Sequence, residues 1–183
     1  SHAMKKEEAK VALRTILTQG DPVLNKVAHP VTQFDQRLHD LIDDLRETLT
    51  DANGLGLAAP QVGILRRVVV LLNENDEMLE LVNPEIIDQS GEQDGLEGCL
   101  SVPGYYGEVK RPAWVKVRAQ DRNGMTFEVE GEGTTARCFC HELAHLDGHL
   151  YTELATKMYT VEELDEMLEQ EEKEKKRKEG KGQ

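Results

Sequence analysis

A first helix is predicted after Asp35, where apolar residues recur at intervals of three and four positions. These apolar positions are Leu38, Leu41, Ile42, Leu45 and Leu49. The spacing places them on one face of an amphipathic helix, opposite a charged face. Asp35 is a suitable N-cap residue, and Gly54 is expected to end the helix. The preceding chain is interrupted by Pro22 and Pro30 and is expected to be irregular.

Between Arg66 and Phe127 the pattern changes to that of β-strands. Two segments are candidates for buried strands, a third alternates between apolar and polar residues, and a fourth follows it. They are RRVVVLLN (66–73), MLELVNPEII (78–87), AWVKVRAQD (113–121) and TFEVEGEG (126–133). Pro84 is expected to break the second strand. The dipeptide Asn123-Gly124 predicts a hairpin turn between the last two.

Two more helices are predicted in the last third of the chain. TTARCFCHELAHL (134–146) has a helical pattern, and Gly148 lies near its end. A last helix is expected to begin near Thr160, with Glu163 as its reciprocal capping partner. Strands in the middle, with helices before and after them, favour one α+β domain. We assign this domain to residues 4–168, interpret residues 1–3 as a cloning scar, and expect the charged tail at 169–183 to fray.

Composition and charge argue against two classes of partner. The net charge is −13, which is unfavourable for binding DNA and for binding anionic membranes. The apolar runs are too short to cross a bilayer, and the first ten residues do not resemble a signal peptide. Three cysteines without the spacing of a disulfide framework suggest reduced thiols. We therefore expect a cytoplasmic protein.

The segment HELAH (141–145) matches the HExxH pattern of zinc hydrolases. Residues four apart on a helix differ by about 40° in direction and about 6 Å in height, so His141 and His145 can share one ion. Glu142 lies about 100° round the helix from His141, where it reaches groups beside the ion without binding it. A catalytic metal usually takes three protein ligands, and this helix supplies two.

Helix geometry rules out several neighbouring residues as the third ligand. A longer zincin signature would need a histidine at the position of Tyr151. His149 lies about 12 Å along a helix axis from His141, which is too far to share its ion. Cys138 and Cys140 do not complete the set from a regular helix, and we expect them to pack as small apolar residues.

Two kinds of residue remain as candidates for the third ligand. One is Cys99 in GLEGCLSVPG (95–104), where Gly98 lets the backbone approach a ligand and a metal would hold the thiolate. The other is a carboxylate of the following helix, supplied by Glu162, Glu163 or Glu166. A glutamate ligand would indicate a general zinc peptidase that cleaves internal peptide bonds. The residues alone leave both alternatives open.

Three segments together resemble the three motifs of the peptide deformylase family. They are GLGLAAPQVG (54–63), EGCLSVPG (97–104) and HELAH (141–145), in the family's order. Members of this family remove the formyl group from the N-terminal formyl-methionine of nascent polypeptides and release formate. The resemblance covers residues 11–160. It implies an α+β fold with antiparallel sheets packed around a central metal-binding helix, followed by a C-terminal helix.

The resemblance also implies a metal site and a mechanism. The implied ligands are Cys99, His141 and His145. The family's metal is generally Fe²⁺, with Zn²⁺, Ni²⁺ or Co²⁺ able to substitute, although a Cys-His₂ set by itself would suit zinc. Glu142 would take a proton from the attacking water and pass it to the leaving amine. The Gln61 side-chain amide and the backbone N–H of Leu100 would stabilise the oxyanion.

The same resemblance implies how the N-formyl-Met peptide is bound. The GLGLAA loop lacks the Lys-Ser/Thr pair of a phosphate loop, and its glycines would let a peptide lie alongside as an added strand. The positions for these main-chain hydrogen bonds are Leu55, Gly56 and Gly98. The methionine side chain would enter an apolar pocket beside His141 and Cys138.

A few positions depart from the family pattern. The residue before the second metal-binding histidine is usually acidic and is Ala144 here, and Cys140 stands where glutamine is frequent. Arg137 lies beside the expected pocket and has no implied role. A catalytically silent relative that keeps the metal is therefore an alternative to the enzyme. The basic segment EKEKKRK (172–178) suggests transient contact with the ribosome, as the C-terminal helix makes in some members.

Overall fold

The computed structural model describes residues 12–181, so the segment interpreted as a cloning scar lies outside the described residues. Within that range the chain forms three α-helices and eight strands in two antiparallel sheets, which confirms the predicted α+β fold. The helices are α1 (Gln36–Ala52), α2 (Gly133–Leu146) and α3 (Val161–Lys181). Helix α2 packs against strands of both sheets and is the central helix of the domain.

The eight strands form one five-stranded sheet and one three-stranded sheet. They are β1 (Gly56–Ala58), β2 (Val68–Leu72), β3 (Met78–Ser90), β4 (Gln93–Cys99), β5 (Val102–Arg111), β6 (Trp114–Gln120), β7 (Thr126–Glu132) and β8 (Lys157–Thr160). The first sheet has the order β1-β2-β3-β6-β7, and the second has the order β4-β5-β8. Strands β1 and β4 therefore each lie at the end of a sheet.

Helix α1 forms where the periodicity predicts it, but it ends one residue earlier than expected. The Asp35 side chain caps it by accepting a hydrogen bond from the Leu38 N–H at 3.0 Å. Its C-cap is Asn53, which adopts the left-handed conformation with φ 57°, so the expectation that Gly54 ends the helix was wrong. Asparagine tolerates this conformation better than most residues. The buried leucines of α1 pack against β2.

The prediction that Pro84 breaks a strand was also wrong. Strand β3 continues through Pro84 because the pairing with β6 shifts register between Val82 and Glu85. Asn83, with φ 50°, forms this irregularity, and its side chain bonds the backbone of Val31 through both its oxygen and its nitrogen. A bulge removes the need for a ladder hydrogen bond at the proline.

Strands β1, β4, β5 and β8 were not anticipated from the pattern of apolar residues. Strand β4, QDGLEGC, contains two glycines and a buried glutamate in place of an alternating apolar face. Strand β1 has only three residues and pairs with β2 alone. Both strands line the same cleft, so each of them has an edge without a partner strand there, within the part of the chain that the structure describes.

Helix α2 presents one face to the core and the other to the cleft. Ala136, Phe139 and Leu146 are fully buried in the main core cluster. Residues 138, 141 and 142 line the cleft. The helix is followed by Gly148, with φ 81°, where a Cβ atom would lie 2.6 Å from the carbonyl oxygen of Asn25. Glycine is therefore required at the turn that ends the helix.

Helix α3 is attached to the domain at its first turn. The Thr160 hydroxyl accepts a hydrogen bond from the Glu163 N–H at 3.1 Å, as the capping pattern predicts, while the Glu163 carboxylate accepts from the Thr160 hydroxyl at 3.2 Å and not from its backbone N–H. None of the helix residues is buried. The described part of the tail is helical to Lys181, and the fraying of residues 169–183 stays a prediction. No helix among the described residues is both long and apolar enough to cross a membrane.

Candidate active site

Three potential metal ligands converge where β4 meets α2. The thiol of Cys99, at the end of β4, and the imidazoles of His141 and His145, on α2, place one ligand atom each within 4.8 Å of one another. The Cys99 Sγ lies 3.4 Å from His145 Nε2, and the two imidazole centroids are 5.1 Å apart. The i, i+4 spacing thus brings the histidines together as the helix geometry predicts.

The other candidates for the third ligand are not part of this cluster. Glu162, Glu163 and Glu166 are exposed on α3. His149 is exposed and bonds Glu153 at 2.9 Å. Cys138 belongs to the core cluster, and Cys140 is half-buried against it, as expected for small apolar residues.

A buried glutamate that the sequence analysis did not single out orients His141. The Glu97 carboxylate accepts a hydrogen bond from His141 Nδ1 at 2.8 Å, which leaves Nε2 free to face the cluster. Arg111 bonds the same carboxylate with two nitrogens, at 2.7 and 2.9 Å, and Arg137 bonds it at 2.7 Å. Burial raises the pKa of Glu97, but the hydrogen bonds of Arg111 and His141 outweigh burial and hold the pKa at about 2.

The charges of the cluster suit a bound cation. Burial lowers the pKa of His141, but Glu142, Cys99 and Glu97 oppose burial and raise the pKa to about 10. Burial and the charge of His141 lower the pKa of His145 to about 3. The opposite shifts mean that these groups together favour one positive charge among them. A divalent cation would supply that charge while both histidines stay neutral, as metal ligation requires.

Glu142 occupies a buried position beside the two histidines. Its Oε1 lies 3.9 Å from His145 Nε2 and has no hydrogen-bond partner among the described residues. Burial raises the pKa of this carboxyl to about 7, although the charge of His141 lowers it. Gly56 of β1 lies against the carboxylate, and a Cβ atom at that position would collide with it. A carboxyl group with a pKa near 7 is suited to accept and return a proton at neutral pH.

Gln61 is fixed next to the cysteine of the cluster. Its Oε1 accepts a hydrogen bond from the Ala58 N–H at 2.9 Å. Its Nε2 donates to the Ser101 hydroxyl at 3.0 Å and lies 3.6 Å from Cys99 Sγ. The backbone N–H of Leu100 has no backbone acceptor within residues 12–181. The Gln61 amide and the Leu100 N–H thus both lie next to Cys99.

A cleft of about 680 Å³ opens above these groups. All four residues expected to contact a peptide line it: Leu55, Gly56, Gly98 and Cys138. Burial raises the pKa of the Cys138 thiol to about 12, so that this residue is an uncharged part of the wall. The sequence analysis did not single out Leu96, Tyr105 or Tyr106, which also line the cleft.

A second hollow lies on another side of α2, next to Ala144. This hollow has a volume of about 430 Å³ and is lined by Ala144, Cys140, Arg67 and Arg111, among others. Arg67 is paired with Asp147 at 3.1 Å. The only carboxylate that bonds Arg111 within residues 12–181 is that of Glu97. Position 144 therefore plays no part in holding the three-residue cluster together here.

Comparisons with known proteins agree with this geometry. The family model described as Polypeptide deformylase matches residues 13–160. A peptide deformylase of Agathobacter rectalis is 55% identical over 143 residues, which are 78% of this chain and 90% of that protein. The crystal structure of a peptide deformylase from Legionella pneumophila is similar with a TM-score of 0.76 at 45% identity, covering 79% of this chain and 87% of that one. A Met-Ala-Ser-bound structure of the Acinetobacter baumannii enzyme has a TM-score of 0.74 at 34% identity, covering 78% of this chain and 98% of that one.

Proposed function

Because the chain belongs to the peptide deformylase family, whose metal-dependent hydrolases remove the formyl group from the N-terminal formyl-methionine of nascent polypeptides, we propose a role in that reaction for each group of the cleft. The observation that carries the proposal is the convergence of Cys99, His141 and His145 beside the Glu142 carboxylate, whose Oε1 has no hydrogen-bond partner among the described residues.

Cys99, His141 and His145 hold one divalent cation. A cation held by these residues would supply a Lewis acid that lowers the pKa of a water molecule and polarises the formyl carbonyl. Two nitrogens and a thiolate suit zinc by ligand softness, so the assignment of Fe²⁺ in the cell rests on the family and not on the donor set. Zn²⁺, Ni²⁺ and Co²⁺ are the substitutes. Glu97 keeps His141 in the tautomer that ligates through Nε2, because it accepts the Nδ1 proton.

Glu142 acts as the proton carrier. It takes the proton of the attacking water and delivers it to the leaving amine, a role supported by its buried position and its raised pKa. The Gln61 amide and the Leu100 N–H donate to the oxygen that becomes negative in the transition state. Gln61 is held for this by Ala58 and Ser101, and its contact with Cys99 directs it toward the reacting group.

The peptide lies along the free edges of β1 and β4. The main-chain groups of Leu55, Gly56 and Gly98 bond its backbone, as in the addition of a strand to a sheet edge. The methionine side chain enters the part of the cleft that is lined by Cys138 and His141. Binding of Met-Ala-Ser by the similar Acinetobacter baumannii enzyme supports a cleft that takes a short peptide.

Release of formate from formyl-Met-Ala-Ser tests this function. Protein prepared without oxygen and loaded separately with Fe²⁺, Zn²⁺ and Ni²⁺ is expected to release one formate for each new amino group. Glu142→Gln, loaded in the same way, is the matched control and should bind metal with little turnover. Absence of formate with every metal at full occupancy would overturn the proposal. Cleavage at an internal peptide bond would support a general zinc peptidase in its place.

The cellular setting follows from the same reaction. Nascent chains are the substrates, and a free thiol in the metal site requires reducing conditions, so we place the protein in the cytoplasm. We assign residues 4–168 to the catalytic domain and residues 169–183 to a charged tail that frays. Lys175, Lys176 and Arg177 on α3 make transient contact with ribosomal RNA phosphates, weakened by their acidic neighbours. Truncation after Leu168 should keep deformylation of free peptides and lower salt-sensitive cosedimentation with ribosomes.

A further inference from the structure

The alternation of side chains along β4 separates two faces of the strand. Glu97 points inward, because its carboxylate reaches His141 and the two arginines. Gly95 has the same direction, since a Cβ atom there would lie 2.9 Å from the guanidinium of Arg137. Gly98 points the other way, because its Cβ atom would lie 2.7 Å from the ring of Tyr106. The inner face of β4 thus points toward His141, and the outer face lies against the ring of Tyr106.

Pairing between β4 and β5 supports this assignment. Leu96 pairs with Glu108, and Glu97 pairs with Gly107, so even-numbered residues of both strands share the outer face. Tyr106 therefore projects on the same side as Leu96. Both side chains line the cleft, and they remain 38% and 39% exposed although each belongs to a strand. An aromatic ring and a leucine are thus left uncovered beside the free edge of β4.

From this geometry we infer that Tyr106 and Leu96 form the binding site for the side chain of the second residue of the formylated peptide, and that they favour an apolar or aromatic residue there. This inference rests on the proposed function, because it takes the peptide to lie along β4. A strand that adds to β4 alternates its own side chains between the two faces. With methionine directed inward toward Cys138 and His141, the next side chain is directed outward onto the ring of Tyr106.

A competition experiment between two peptides tests the inference. Formyl-Met-Phe-Ser and formyl-Met-Ala-Ser are mixed at equal concentration with the metal-loaded full chain, and the ratio of their kcat/KM values is read from the two products. We expect the wild type to favour phenylalanine by about three- to tenfold, which is the range that aromatic contacts add to surface burial. The difference should lie mainly in KM, because the second side chain is remote from the reacting carbonyl.

Variants of the two neighbouring tyrosines give the controls. Tyr106→Ala should bring the ratio close to one, and Tyr106→Phe should keep it, because the ring and not the hydroxyl makes the contact. Tyr105→Ala should also keep the ratio, since the Tyr105 side chain projects from the face of β5 opposite to that of Tyr106. Three results would each overturn the inference and leave the proposed function intact. They are a wild-type kcat/KM ratio near one, a Tyr106→Ala ratio equal to that of the wild type, and a Tyr106→Phe ratio that falls to one. No formate from either peptide with the wild type would overturn both.

Discussion

Replacement of Glu97 by alanine should be among the most damaging single changes in this domain. The carboxylate accepts four hydrogen bonds, two from Arg111, one from Arg137 and one from His141, and its side chain is only 3% exposed. Its removal leaves two guanidinium groups in the interior without a counter-charge. Breaking a buried ion pair in this way typically costs about 3–5 kcal/mol. For a protein of this size that corresponds to a fall in Tm of roughly 6–20 °C.

The same change should weaken metal binding separately from its effect on stability. Without Glu97, nothing in the described part of the cleft fixes the tautomer of His141, and loss of such a supporting group typically lowers metal affinity by about 10- to 100-fold. Urea unfolding of the metal-free protein measures stability, and competition with a chelator measures affinity. Glu97→Gln restores the shape and part of the hydrogen bonding, and it should fall between wild type and Glu97→Ala in both assays.

An exposed glutamate provides the matched control for Glu97. Glu85 is paired with Arg118 at 3.5 Å, and its side chain is 65% exposed. Exposed ion pairs contribute about 0–1 kcal/mol, so Glu85→Ala should change the free energy of unfolding very little. If Glu97→Ala lies within about 1 kcal/mol of Glu85→Ala and binds metal normally, the account of the buried network is wrong.

Three further predictions concern the residues around the proposed metal. Cys99→Ala should lower the metal content sharply, while Cys138→Ala and Cys140→Ala leave it nearly unchanged. Full metal occupancy of Cys99→Ala, measured by elemental analysis, would contradict the ligand assignment. Glu142→Ala should retain the metal and lose about 10²- to 10⁴-fold in turnover, the usual effect of removing a general base, and turnover within a few-fold of wild type would remove it from the mechanism. Gly56→Ala should displace the Glu142 carboxylate and lower kcat by about 10²-fold at unchanged metal content, whereas normal kinetics would show that β1 does not position this group.

The histidine pair was predictable from sequence because it lies within one regular element. Helix periodicity fixes the relative direction of His141 and His145 without any knowledge of the rest of the fold. The third member of the cluster could not be obtained in this way. Cys99 comes from a strand that is more than forty residues earlier in the chain, and its approach to His145 depends on the packing of the three-stranded sheet against α2. The residues alone favoured it only slightly over the glutamates of α3, and the resemblance to the deformylase motifs decided between them.

The edge strands that form the walls of the cleft were not predicted from the sequence, for a different physical reason. Strand prediction relies on side chains that alternate between core and solvent, and β4 uses glycine where such side chains would stand. Gly95 and Gly98 leave space for Arg137 and Tyr106, and Gly56 leaves space for Glu142. In each case a glycine on an edge strand makes room for a larger residue from another element. A pattern of apolar residues cannot reveal this complementarity, because the information lies in the missing side chains.

Glu97 is the carboxylate on which two buried arginines and a proposed metal ligand converge. Two buried guanidinium groups, those of Arg111 and Arg137, share this carboxylate, and no other carboxylate among residues 12–181 bonds either of them. One nitrogen of Arg137 remains buried without a partner among the described residues. Ala144 lines the hollow beside Arg111 and offers no carboxylate to that guanidinium. Glu97 therefore both neutralises the two arginines and orients His141, a proposed metal ligand, and we expect stability and metal affinity to be coupled through this one side chain.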